Sequence, residues 1–136
     1  MIVKNIKTGG RFEEIGAYSR VKRVGPFVFV AGTTAIEPSG RLHAPGDTEA
    51  QSRYIFKRIE AAMAEVGASL QHVVRTRAYF TDMTTAAEFV RVHGEIFKGI
   101  DPVTCGVEAG LTMDGMMIEI EADALILDKN GGFDIQ

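Results

Sequence analysis

Cysteine is nearly absent: Cys105 is the single one among 136 residues, which excludes an internal disulfide framework and a cysteine-rich zinc site. A reducing, cytoplasmic setting is therefore expected. No run of about 20 apolar residues occurs, and the opening MIVKNIKTGG lacks an apolar stretch leading to a small-residue cleavage site, so neither membrane spanning nor secretion is expected. Basic residues are not in excess either. Lys and Arg number 15 against 18 Asp and Glu, a formal net charge of −3 spread along the chain. That balance lacks the footprint of a protein that grips phosphate backbones, which disfavours nucleic acid and leaves small molecules as the expected partners. His43, His72 and His93 lack the spacing of a zinc motif, and the glycine pairs lie in turns without a phosphate-loop pattern. No metal or nucleotide is called for.

What is present is enough apolar material, 46% of residues, for one real core. A compact chain of about 150 residues hides roughly two-thirds of its unfolded surface, so residues 1–136 read as a single domain that needs no staples. Ile2 to Lys7 and Phe12 to Ile15 read as short opening strands. Arg20 to Thr34 reads as a hairpin turning at Gly25-Pro26, and Glu37 to Gly46, with two prolines and two glycines, as a surface loop.

A helix is expected from Asp47 or Thr48 to Gly67, opened by a Thr48/Gln51 capping box. Ile55, Ile59, Ala62, Met63 and Val66 form its inner stripe, and Arg53, Lys57, Arg58, Glu60 and Glu65 its solvated side. Val73 to Thr81 follows as a strand, and a second helix capped by Thr84 or Thr85 runs to about Phe97. Its inward stripe is Phe89, Val92, Ile96 and Phe97. Pro102 cannot continue a helix, so Val103 to Glu108 and Met116 to Leu127 read as the closing strands. The order predicts an α/β (α+β) sheet with two helices on one face.

The last strand is the most informative segment. Side chains alternate across a strand, so Ile118, Ile120, Ala122 and Ala124 share one face while Glu119, Glu121 and Asp123 share the other. In Val73 to Thr81 the same rule sets Arg75 and Arg77 apart from Val74, Thr76, Ala78 and Phe80. Cross-strand pairing of these opposite charges is expected, on a face that is either a polar pocket or an interface. The nearby Tyr79, Met116 and Met117 favour its being covered by association.

The run VGPFVFVAGTTA, the segment VRTRAYFTDM, the element around Pro102 and IEIEADA at Ile118 to Ala124 occur in an order that resembles the RidA family, also called YjgF or L-PSP endoribonuclease-like. The similarity runs from about Ala17 to Ile126. It implies a chorismate-mutase-like fold assembled as a homotrimer, with sheets forming a central barrel and small-molecule clefts between subunits. Members of that family hydrolyse enamines and imines to 2-oxo acids and ammonia without a cofactor. The resemblance implies that Tyr18, Ser19 and Gly32 line the cleft and that Glu119, the first glutamate of IEIE, activates water. A carboxylate suits that task if burial raises its pKa.

Three positions depart from the pattern, one of them the asparagine often found on the second helix, which has no counterpart near Val90 and Arg91. The arginine that clamps a substrate carboxylate in family members is Thr104 here, in Pro102-Val103-Thr104, and the cysteine expected two residues later is Gly106, with Cys105 one residue early. A neutral hydroxyl cannot replace a charged planar fork. Arg77, Arg75 or Arg91 would have to supply the charge, Thr104 and Cys105 remain cleft candidates, and His93 joins them from the second helix. Each has a bland alternative: Glu119 pairing with Arg75 or Arg77, Tyr18 as an interface aromatic, Cys105 as a small buried apolar side chain, and His93 as a satisfied core histidine. The leading expectation is a hydrolase (deaminase) of a small enamine or imine. A non-catalytic trimeric metabolite-binding protein is the alternative, and an endoribonuclease is disfavoured by the charge and the lack of paired acid-base histidines.

Overall fold

A computed structural model describes residues 2–133. Its strands are β1 (Val3–Ile6), β2 (Val21–Val24), β3 (Phe27–Thr33), β4 (Val73–Phe80), β5 (Val103–Glu108) and β6 (Ile118–Leu125). The helices are α1 (Arg11–Gly16), α2 (Thr48–Ala64) and α3 (Ala86–Phe97). They build one six-stranded mixed sheet in the order β1-β2-β3-β6-β4-β5, with β4 and β5 parallel and the other neighbours antiparallel. β4-α3-β5 is the crossover unit that a parallel pair requires.

The core lies between the sheet and the two long helices. Val28, Val30, Ala78, Phe80, Ile118, Ile120, Ala122 and Ala124 meet Ile55, Phe56, Ile59 and Met63 of α2 and Phe89, Val92 and Phe97 of α3, all buried. Phe56 and Phe80 crowd the α3 rings edge-on, with centroids 5.4 Å from Phe97 and 5.5 Å from Phe89. Such tilted ring pairs are favoured by the aromatic quadrupole. No helix among the described residues is long and apolar enough to cross a membrane.

Several expectations need correction. Phe12 to Ile15 is part of α1, not a strand: Glu13 turns inward and is buried, while Phe12 and Ile15 stay exposed. The cap of α2 is Asp47, whose carboxylate accepts the Ala50 N–H at 2.9 Å, and not a Thr48/Gln51 box. Gln51 is instead fully buried; its amide donates to the Ala44 and Gly115 carbonyls and accepts from Met117 N–H, tying the loops to β6. Arg58 is half-buried, donating to the Thr34 carbonyl at 2.6 Å. In β4 a bulge between Val73 and Arg75 turns Val73 into the core and leaves Val74 exposed. The bulge restores the expected facing beyond it, with Thr76, Ala78 and Phe80 inward.

Candidate functional site

The face away from the helices carries the charge. Tyr79, Glu119, Glu121 and Asp123 line it in cross-strand register, and the exposed apolar side chains Phe29, Val103 and Val107 lie beside them. Arg77 makes the ion pairs here, 3.4 Å to Glu121 and 3.2 Å to Asp123, while Arg75 lies opposite Asp123 in the ladder without such a pair. Tyr79 donates its hydroxyl to Glu121 at 2.8 Å, a bond that raises the pKa of the phenol. Glu121 and Asp123 thus share the single cation Arg77, whereas Glu119 pairs with neither Arg75 nor Arg77.

Glu119 sits half-buried against Gly32. A Cβ on residue 32 would lie 2.9 Å from both the Glu119 carboxyl carbon and Oε1, so a larger residue would push the Glu119 side chain out of this spot. The approach coincides with a break in the β3-β6 register between Val30 and Thr33. Burial raises the Glu119 pKa, the neighbouring Arg20 opposes the rise and Glu121 adds to it. The result is a carboxyl poised to hold a proton more readily than an ordinary glutamate.

Arg20 is the residue that the alternation pattern missed. It is 7% exposed, donates from Nη1 to the Gly32 carbonyl at 2.6 Å and to Thr33 Oγ1 at 3.1 Å, and pairs through Nε with Glu13 at 3.4 Å. Glu13 is in turn held by the Thr8 N–H and hydroxyl, at 2.8 and 2.9 Å. Charges this deep persist when paired and hydrogen-bonded. Tyr18, exposed at 40%, lays its ring 5.9 Å from the Arg20 guanidinium, and Ser19 between them is half-buried. Tyr18, Ser19, Gly32 and Glu119 therefore gather at one end of the sheet.

The other candidates form a second cluster on β4, β5 and α3. His93 Nε2 lies 2.9 Å from Thr76 Oγ1, which lies 2.7 Å from Thr104 Oγ1. Cys105 is exposed, contrary to a buried apolar role, and stands opposite Arg77 across the β4-β5 ladder. Arg91 is occupied on the helical surface by Glu49. Of the arginines expected to replace the missing fork, Arg75 borders a hollow that Thr104 also borders, but it leaves the sheet on the face opposite the threonine hydroxyls. The histidines outside this cluster are structural: His43 stacks on Tyr54 at 4.4 Å and meets Glu37, and His72 accepts the Ser69 N–H.

A mixed sheet with two helices on one face and an acid-lined opposite face, notched by a glycine, defines the class of protein. The Endoribonuclease L-PSP family model matches residues 8–126, so the chain belongs to that family, which includes the RidA and YjgF proteins. It is 36% identical over 110 residues to a RutC family protein of Pyrococcus abyssi, covering 81% of this chain and 87% of that one. It is 30% identical over 113 residues to the protein DfrA of Myxococcus xanthus, covering 82% and 86%. Among solved structures, a Mycobacterium tuberculosis member of the YjgF/YER057c/UK114 family superposes with a TM-score of 0.83 at 41% identity, over 92% of this chain and all of that one. A Rid family protein of Yersinia pestis superposes with a TM-score of 0.80 at 27% identity, over 92% and 100%.

Proposed function

We propose that the protein hydrolyses a small enamine or imine in clefts formed where neighbouring copies of a homotrimer meet. The observation that carries this reading is the half-buried Glu119 carboxyl, raised in pKa by its burial and held against Gly32. A carboxylic acid there can protonate an enamine carbon to give an iminium. The carboxylate that remains takes a proton from water as the oxygen adds to the C=N carbon, returns it to nitrogen, and then takes the hydroxyl proton as the carbinolamine collapses to the carbonyl and expels ammonia. One water is consumed, one ammonia leaves and the carboxyl ends as it began. Association is supported by the exposed Phe27, Phe29, Val103 and Val107, at 46 to 59% exposure, and by an edge strand β5 exposed along its whole length. It would also bring the Gly32 cluster of one copy to the Thr104 cluster of another.

The test is to generate an imine in situ with an amine oxidase or an amino-acid oxidase and follow its decay. Acceleration over buffer with either oxidase supports the reading, and no acceleration with both defeats it. A metabolite-binding role without chemistry is the second reading, favoured by the engagement of Arg77 and Arg91 elsewhere. A binder would gain thermal stability as RT ln(1 + [L]/Kd) while leaving its ligand unconsumed.

A further inference from the structure

The Thr104 cluster is a continuous hydrogen-bonded chain that leads from an exposed hydroxyl to a buried imidazole. Thr76 and Thr104 are in-register partners of a parallel pair, so both side chains leave the same face of the sheet, toward α3. Thr76 is fully buried, Thr104 is exposed, and the imidazole of His93 closes the chain from the helix. Around the ring stand Phe56, Phe89 and Phe97, with centroids 6.1, 5.3 and 4.6 Å away. No carboxylate or cation contributes to its electrostatics; burial alone lowers its pKa, and it is neutral at pH 7.

A neutral imidazole has one donor nitrogen and one acceptor nitrogen, and each hydroxyl has one proton. Two arrangements satisfy the chain. With Nε2 unprotonated, Thr104 donates to Thr76, Thr76 donates to His93, and Thr104 shows only lone pairs to the outside. With Nε2 protonated, His93 donates to Thr76, Thr76 donates to Thr104, and the Thr104 proton is free to point outward. Shifting the ring proton between its nitrogens switches the exposed hydroxyl between acceptor and donor at no cost in net charge.

We propose that Thr104, Thr76 and His93 form a subsite for an uncharged group carrying both donor and acceptor, of the primary amide type, in place of a carboxylate. A hollow of about 190 Å³ is bordered by Arg75, Thr76, Val103, Thr104 and Cys105; in the ladder Arg75, Val103 and Cys105 turn to the face opposite the two threonine hydroxyls. A carboxylate offers acceptors only, so it would use one of the two arrangements and leave its charge without a counterion from the chain. Arg75, beside Thr76 in β4, turns to the opposite face of the sheet. The assignment names what the second half of the proposed cleft takes and rests on that reading for the cleft being shared; binding measured without turnover separates the failure of one from the failure of the other.

The test uses the full chain labelled at threonine methyls and histidine ring nitrogens, titrated by NMR with propionamide and with propionate. Propionamide should shift the Thr104 methyl and the His93 nitrogens and bind about tenfold more tightly than propionate, the value of one or two hydrogen bonds. Thr76→Val should leave the Thr104 response and abolish that of His93, because the relay is cut. Thr104→Arg should reverse the preference toward propionate. Propionate binding that equals or exceeds that of propionamide would overturn the assignment, as would the absence of a Thr104 response to propionamide.

Discussion

The two polar clusters of this sheet are built on opposite electrostatic plans. Around Gly32 the side chains are charged: Glu13 and Arg20 are buried as a pair, and Glu119 stands beside them with its proton affinity raised. Around Thr104 they are neutral: two hydroxyls and an imidazole whose burial lowers its pKa. Burial pushes the acid and the base in opposite directions, and in both cases toward the uncharged form. A cleft joining the two would hold one proton on demand at Glu119 and read polarity, not charge, at Thr104.

That contrast predicts unequal responses to mutation. Glu13→Gln leaves Arg20 without its buried counterion and should cost about 3 kcal/mol, the lower end of what breaking a buried pair costs, measured by chemical denaturation. A loss under about 1 kcal/mol would show that the Gly32 and Thr33 oxygens satisfy Arg20 unaided. In the neutral cluster, Thr76→Val removes one hydroxyl at nearly constant shape and should cost only about 1 kcal/mol, read the same way. An equal cost in the two clusters would erase the distinction between them.

The smallest expected effect is the most diagnostic in sign. A carboxyl whose pKa is higher folded than unfolded stabilises the fold while protonated, below the unfolded value, and that contribution is lost as pH rises through the folded value. Glu119→Gln should therefore raise Tm relative to the parent at pH 8 and raise it less at pH 4. His93 behaves oppositely: with its folded pKa lowered, stability is full above the unfolded value and declines as pH falls below it, and His93→Gln should flatten that decline between pH 7 and 5.

Periodicity carried much of this into view, and its failures are local. The IEIEADA alternation placed Glu119, Glu121 and Asp123 on one face because period two needs only the strand to be regular. The same logic put Thr76 on the core face, where a buried hydroxyl demands a partner. Its partners lie 17 and 28 residues away, a separation with no periodic trace. Glu13 and Arg20 were hidden for a related reason: a buried charge looks like a surface charge until its counterion is known, and FEEI, apolar at i and i+3, is too short a run to declare its helical spacing. Val74 was misplaced because one bulged residue reverses the facing on one side of it. The resemblance in motif order supplied Gly32, Tyr18 and Ser19, which composition and spacing alone would have left as turn and surface residues.

The central claim is that Glu119 moves the proton when a C=N bond is hydrolysed, and its most direct measurement is the decay of an oxidase-generated imine with the parent protein and with Glu119→Gln, both confirmed folded. The parent should accelerate decay, and the variant should lose that acceleration by about 10²-fold or more, the value of a positioned acid-base group. A variant as fast as the parent would contradict the account.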